Sequence, residues 1–463
     1  MEDIEMLKKI AIVLTSLMLA VSAAGCSAIV QKDSSDSIIT IVETNQADAT
    51  SGKSDTTSSS GTDTQAASST TNSEETASSV ESTSTDEGTS IESSSSGVTS
   101  STENASSADS VSEETASSDL FSNRDLSQTA DLSEAVYYEA ADDTTITLTE
   151  AGVYVFSGSA ENYTIIVEAS DEDKVQIVLN SLSVTNDDTP VIYIKNADKT
   201  FVTTAEGTEN TLTVSGSFTA DGDTNTDAVI FSRDDLVLNG LGTLNISSTD
   251  NGISCKDDLK VTGGTINISC VSDALEANDS ILVGGGTVNI NSRKDGLHTE
   301  NDEDDTVGYI VITGGTLNIS ASDDGIHATT YIQIDSGVLN ISASEGIEAT
   351  YIQINGGTIQ IDASDDGINA GRKSTALSVA IEINGVDLTV NMGQGDTDGI
   401  DSNGDLIITG GTISVNAQSP FDYDGNCTYT GGTIIVNGTE TNEITNQMMG
   451  GGFGGGFGGG GRR

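Results

Sequence analysis

The chain has 463 residues, with 72 acidic against 17 basic side chains and a formal net charge of −55. That balance excludes nucleic acid and anionic lipid headgroups as partners of the folded surface, because each phosphate contact would be repulsive, and it favours metal cations. Trp is absent, Pro occurs twice, and no long stretch carries helix periodicity, so an all-β protein is expected.

The first element is an export signal. "MLKKIAIVLTSLMLAVSAAGC" places Lys8 and Lys9 before an apolar run that ends in small residues. The run is short and a polar tract follows, which fits a cleaved leader (residues 1–25) rather than a spanning helix. "AAGC" resembles a bacterial lipobox with Ala23 where Leu is usual, so Cys26 is expected to carry lipid. The alternative is ordinary cleavage near Ala24. Residues 26–118 are almost entirely Ser, Thr, Asp, Glu, Ala and Gly, a composition that cannot bury enough apolar surface to fold. A linker of that length spans roughly 50 Å as a coil and about 300 Å fully extended. The expected placement is therefore the outer face of a bacterial membrane, with the domain lifted into or beyond the cell wall. Lipid at Cys26 would be the only membrane contact, and no protein partner is evident.

The folded domain is expected over 119–445, with an irregular cap and first coils in 119–235 and regular coils in 236–445. Aligning on "GGT" and its variants sets Thr243, Thr265, Thr287, Thr316, Val338, Thr358, Thr412 and Thr433 in register at twenty-odd residue spacing. Two insertions, around 299–308 and 371–380, lengthen the gaps. One period, "DGIHATTYIQIDSGVLNISAS", resolves into three short alternating runs. Ile326, Ala328, Ile332, Ile334, Leu339 and Ile341 fall on one side, with His327, Tyr331, Gln333 and Asn340 on the other. Strands so short bury their apolar side only by winding into a coil and pairing with their equivalents one turn above. The fold expected is a right-handed, three-faced parallel β-helix, a solenoid with windings about 4.8 Å apart. Residues 446–463, "NQMMGGGFGGGFGGGGRR", form a flexible Gly/Phe tail.

Three further cysteines, Cys255, Cys270 and Cys427, give an odd number. The first two follow inward isoleucines by two positions, so buried free thiols are expected. No zinc-type Cys or His spacing is present, and no structural zinc is expected.

Winding turns sequence period into columns. One outward column holds Asp273, Asp295, Asp324, Glu345, Asp366 and Asp398; three residues on runs Ser254, Glu276, His298, His327, Glu348, Asn369 and Asp401. Asp323 and Asp365 flank the first column, while Glu300, Asp302, Glu303, Asp304 and Asp305 crowd the first insertion. Like charges about 5 Å apart repel by roughly 3 kcal/mol at an effective dielectric of 20. Either their pKa values rise or cations sit among them. Oxygen donors in irregular clusters suit calcium better than magnesium. The candidate metal ligands are Asp273, Glu276, Asp295, Glu300, Asp323, Asp324, Glu345, Glu348, Asp365, Asp366 and Asp398. Asn245, Asn267, Asn289, Asn318 and Asn340 form an amide ladder expected to be structural. Tyr309, Tyr331 and Tyr351, with Gln333 and Gln353, stack outward, either as a sugar platform or as a shield for sheet edges.

"ITLTEAGVYVFSGS", "DKVQIVLNSLSVTN", "KDGLHTENDEDD", "DDGIHA", "EGIEA" and "DDGINA" resemble an exported clostridial family of carbohydrate-binding β-helix domains with bound calcium, similar in fold to pectate lyases. The resemblance covers roughly 130–440. It implies binding, without cleavage, of acidic plant polysaccharide such as polygalacturonate (pectin), and of cellulose. It also implies calcium ligands among Asp295, Glu300, Asp323, Asp324, Glu345, Glu348, Asp365 and Asp366. The lack of Trp favours the acidic glycan over a flat cellulose platform. Two alternatives stand: a calcium-dependent lyase with Lys294 as base (Arg372 and Lys373 being weaker candidates), or a structural surface protein rigidified by calcium. A lyase base needs a lowered pKa, and nearby carboxylates in general act on a lysine in the opposite direction.

Overall fold

The structure, a computed structural model, describes residues 42–44, 120–301, 303–394 and 397–446. The leader, Cys26, the linker apart from the short strand Val42–Thr44, Asp302 and the tail beyond Asn446 lie outside the described residues.

Asp324–Ala328, Tyr331–Ile334 and Val338–Ala343 make one winding; Glu345–Ala349, Tyr351–Ile354 and Thr358–Ala363 make the next. Each strand pairs in parallel with its equivalent, so that Ile326 meets Ile347, Ile332 meets Ile352 and Leu339 meets Ile359. The same pattern holds from Thr144–Leu148 to Ser419–Tyr423 on what we term the first face. The second face carries the "YIQI" strands and the third the "TLNIS" strands. The molecule is thus a parallel β-helix, as its period requires. At the far end Thr433–Val436 turns back antiparallel against Thr439–Thr441, and this hairpin covers a sheet edge that would otherwise template further pairing.

Ile326, Ala328, Ile332, Ile334, Leu339 and Ile341 are all buried, in one core that runs the length of the windings. Burying an Ile or Leu contributes about 1.5–3 kcal/mol over leaving it exposed, so each added winding is held mainly by its inward aliphatic residues. Cys255 and Cys270 are free thiols inside this core, and Cys427 is free and half-buried.

The glycine after each column acid has a steric cause. A Cβ on Gly325 would lie 2.6 Å from the Gly346 carbonyl oxygen, and one on Gly346 would lie 2.3 Å from that of Gly367. Successive backbones pass too closely at this corner for any side chain. The "DGI" and "EGI" repeats therefore encode a turn as well as a charge.

The expected N-terminal cap divides in two. Val136–Glu139 pairs with Gly152–Glu161 and Thr144–Leu148 with Tyr163–Glu168, so this stretch forms the first winding. Residues 120–128 instead run along the side of the second face. Lys260 Nζ donates to the Leu120 carbonyl (2.9 Å), Gln128 Oε1 accepts the Gly240 amide (3.0 Å), and Phe121 packs on Leu282 and Val311. An apolar pair followed by Asp125, which is buried within 3.9 Å of both Lys199 and Lys260, suits a lateral groove better than an open end.

Candidate metal and glycan site: the columns of the first face

Backbone pairing puts Ser254, Glu276, His298, His327, Glu348, Asn369 and Asp401 in one register, as the repeat predicts, and continues it to Asp422. The neighbouring acids do two jobs. Asp273 Oδ1 accepts the backbone N–H of Asp295 (2.9 Å), Asp295 Oδ1 accepts that of Asp324 (3.0 Å), and Asp366 Oδ1 accepts that of Asp398 (3.1 Å). Asn251 starts the series by accepting the Asp273 amide at 2.9 Å. One carboxylate oxygen thus caps the next winding, where the tight glycine corner leaves an amide in need of an acceptor. The other oxygen meets the second column.

There the imidazoles of His298 and His327 stack, with centroids 4.9 Å apart and planes 6° from parallel. His298 Nδ1 lies 3.4 Å from both Asp273 Oδ2 and Asp295 Oδ2. His327 Nδ1 lies 3.6 Å from Asp295 Oδ2 and 3.3 Å from Asp324 Oδ2. Further along, Asn369 Nδ2 donates to Glu345 Oε2 (3.0 Å), while Glu348 accepts from Lys373 Nζ (2.8 Å). Glu276 is held by Asn251 Nδ2 (2.8 Å) and Lys256 Nζ (3.2 Å).

Electrostatics divide the column. At Asp273 burial favours the neutral acid, but the His298 ring and the Asp295 amide outweigh it and hold the carboxyl below its ordinary range. Past the histidines the cations thin out. Burial, then the charges of Asp295, Glu348 and Glu345, push Asp324 far above the usual range. Burial lifts Glu345 to about 7, against the Asn369 hydrogen bond and with help from Glu348 and Asp366. Asp366 rises to about 6 and Asp401 to about 7, again through burial first and acidic neighbours second.

Of the sequence candidates, Asp295, Asp323 and Asp324 present oxygens within 4.8 Å of one another, as do donor atoms of Asp324, His327 and Glu348. Glu300 is more exposed, its Oε2 3.8 Å from His298 Nε2. Asp365 is exposed beside Asp366. Lys294 lies 3.9 Å from Asp273 Oδ2 with 61% of its side chain exposed.

A second acidic cluster, Asp235, Asp257 and Asp258, was not singled out from sequence. Burial and its acidic neighbours lift Asp257 to about 7. Its signal was legible as "RDDL" over "KDDL" over "NDSI", one winding apart.

The tyrosine column shares its surface with the N-terminal segment. Tyr309 and Tyr331 do stack, at 4.8 Å and 4°, but Leu120 and Phe121 pack in the same cluster, so the pair is partly covered rather than an open platform. The Tyr351 hydroxyl bonds Glu382, Gln333 Nε2 donates to Asp335 (2.9 Å), and Gln353 Oε1 accepts from Asn355 (3.1 Å). These groups hold one another along the face. The amide ladder is structural as read: each Asn Nδ2 donates to the Asn Oδ1 one winding earlier, 2.8 Å at every step from Asn267 to Asn340.

Carboxylate-rich corners on a parallel β-helix define a class of repetitive surface with many oxygen donors and few cations. The carbohydrate-binding domain-containing protein family matches residues 142–397, more than half of the chain, and the chain belongs to that family. A carbohydrate-binding domain-containing protein of Acetivibrio thermocellus is 34% identical over 128 residues, which are 27% of this chain and 45% of that protein. The match thus spans less than half of the relative's length. The structure of a polysaccharide lyase-like protein from C. thermocellum, a gadolinium derivative, is 28% identical and covers 52% of this chain and 97% of its own, with a TM-score of 0.42.

The donor set fits calcium. Asp295, Asp323 and Asp324 bring three carboxylates together, and further along, beside Glu345 and Glu348, the buried Asn369 Oδ1 has no hydrogen-bond partner while its Nδ2 donates to both glutamates. Clustered carboxylate and amide oxygens at variable spacing are what calcium accepts.

Proposed function

We propose that this domain is a non-catalytic, calcium-dependent binding module for acidic polysaccharide, with polygalacturonate-type pectin as first candidate and cellulose as second. Calcium would sit among Asp295, Asp323 and Asp324, and along the stretch from Glu345 and Glu348 through Asp365, Asp366 and Asp398. Asp273, Glu276 and Glu300 would complete the field at the other end. A polymer carboxylate cannot approach so anionic a face directly; an ion shared by protein and polymer carboxylates removes the repulsion. The observation that carries this reading is the register of buried and half-buried acids, set one winding apart, whose ionisation is suppressed by burial first and by one another second. Cys26 as lipid anchor, with residues 26–118 as tether, would hold the module outside the bacterial membrane.

Affinity electrophoresis of the full chain on polygalacturonate, methyl-esterified pectin and a neutral glucan, with calcium and with chelator, tests it. The expected result is retardation by polygalacturonate in calcium alone. Equal migration in all gels would leave only the structural surface protein. Ultraviolet-absorbing unsaturated products from polygalacturonate would establish the lyase instead.

A further inference from the structure

Given the binding-module reading, on which this rests, we propose that Arg293 and Arg372 select the acidic glycan, each taking a carboxylate of a polymer laid obliquely across the acid column. Between Asp295 and Met449 the sequence holds only two lysine or arginine residues, Arg372 and Lys373. They are adjacent, as Arg293 and Lys294 are just before Asp295. A surface this poor in cations carries two Arg–Lys pairs, and both flank the first face.

The fold sets the pairs at opposite edges of that face. Arg293 and Lys294 precede the strand Leu297–Thr299, while Arg372 and Lys373 follow Ile368–Ala370. Leu297 pairs with Ile326, Ile326 with Ile347 and Ile347 with Ile368, so the two strands are three windings apart. That is about 14 Å along the axis. A line joining the pairs therefore crosses the acid column diagonally, through the windings of His327 and Glu348. Within each pair the side chains differ. Lys373 Nζ lies 2.8 Å from Glu348 Oε1 and Lys294 Nζ 3.9 Å from Asp273 Oδ2, so the lysines lean on the column. Arg293 and Arg372 are exposed and make no ion pair among the described residues. An arginine placed only to offset the column's charge would pair with it, as the lysines do.

The backbone under each arginine is fixed on both sides. The Ser292 N–H donates to the Ser320 carbonyl (3.0 Å) and the Asp295 N–H to Asp273 Oδ1 (2.9 Å). The Gly371 N–H donates to the Ala349 carbonyl (3.0 Å), and Thr350 Oγ1 accepts the amides of Lys373 (2.9 Å) and Ser374 (2.8 Å). Ser374 Oγ then donates to the Asp305 carbonyl (2.7 Å), so the second insertion is clasped by the first. Each guanidinium is a free head on a rigid mount, and its planar fork matches a carboxylate through two parallel hydrogen bonds. Calcium shared with the column would neutralise polymer carboxylates between the two arginines, which would hold those on either side. A polyuronate offers a carboxylate on every sugar; a neutral glucan or a methyl ester offers none.

The test uses the full chain in saturating calcium, with affinity for polygalacturonate read by affinity electrophoresis at several salt concentrations. Arg293→Gln and Arg372→Gln should each weaken binding roughly fivefold. The double variant should lose roughly the product of the two, since the sites are far apart, and its binding should depend less on salt than the parent's. Lys174→Gln, which removes one exposed charge from an earlier winding, should bind as the parent does. Calcium uptake by calorimetry and the melting temperature should stay at the parent values in every variant, which separates a lost polymer contact from a lost ion site or a lost fold. A double variant with the parent's affinity and salt dependence would overturn the assignment of the arginines and leave the binding module standing. An equal loss on a neutral glucan, or a loss that tracks lowered calcium uptake, would overturn it too. A parent that ignores polygalacturonate would remove the binding-module reading itself, and this assignment with it.

Discussion

Two ladders of like side chains, amides on one face and carboxylates on another, run along this β-helix at the same spacing, and they solve the stacking problem in opposite ways. On the third face, Asn267, Asn289, Asn318 and Asn340 each donate to the amide one winding earlier at 2.8 Å. An amide both donates and accepts, so the stack satisfies itself and needs nothing from outside. A carboxylate only accepts. On the first face Asp273, Asp295 and Asp366 each find one backbone N–H, after which the remaining oxygens must be matched by histidine, lysine, a proton or a metal ion. The same geometry that lets one column satisfy itself leaves the other with carboxylate oxygens still to be matched.

Metal removal should therefore act on one ladder and not the other, with the largest effect of any change. An ion present at a hundred times its Kd stabilises by about 2.7 kcal/mol. Two such ions correspond to a fall in Tm on the order of 10 °C when chelator is added. The loss should depend on pH. Glu345 and Asp401 (about 7) and Asp366 (about 6) have folded-state values above their unfolded ones. In the metal-free protein their stabilising contribution is complete below about pH 4 and disappears as the pH rises through 6 to 7. Chelation should lower Tm more at pH 8 than at pH 5, as scanning calorimetry at both values would show. An equal loss at the two values would mean that the acids carry no shared ion.

The next largest effects come from converting one ladder into the other. Asn289→Asp places a carboxylate between Asn267 and Asn318, where Asn267 Oδ1 loses its donor and faces a like oxygen. A destabilisation of about 2–3 kcal/mol is expected, and about 1 kcal/mol for Asn289→Ala. Neither variant should alter the calcium dependence of Tm. Urea unfolding in calcium and in chelator measures both quantities.

The contrast between the ladders also separates what was legible in the sequence from what was not. Period and alternation carry the fold, because in a β-helix each outward residue meets its own equivalent; the order Glu276, His298, His327, Glu348 could be written down from spacing alone. Which atoms meet could not. The capping of Asp295 Oδ1 by the Asp324 amide depends on a tight glycine corner, and the doubled contacts of the histidine Nδ1 atoms depend on ring orientation. The path of residues 120–128 was also hidden, since their partners Lys260, Leu282 and Val311 lie more than a hundred residues away and follow no period. That segment packs in one cluster with Tyr309 and Tyr331, a contact that the repeat pattern does not carry.

The smallest expected change is also the one with the unusual sign. Glu345 is half-buried and crowded by Glu348, Asp366 and Asp365, and the Asn369 amide donates to it. Glu345→Gln removes a repelled charge, and its Oε1 can still accept from Asn369. In chelator at pH 8 the variant should be more stable than the parent, by about 1 kcal/mol, a gain typical of relieved surface-charge conflict. On the proposed calcium-dependent reading the order should reverse in calcium, because the ion would lose a ligand. Melting curves of the two proteins, with and without calcium, give four values whose crossing is the test. If Glu345→Gln destabilises the chelated protein as well, the carboxylate is satisfied by the fold itself, and the first-face column resembles the amide ladder more than a ligand site.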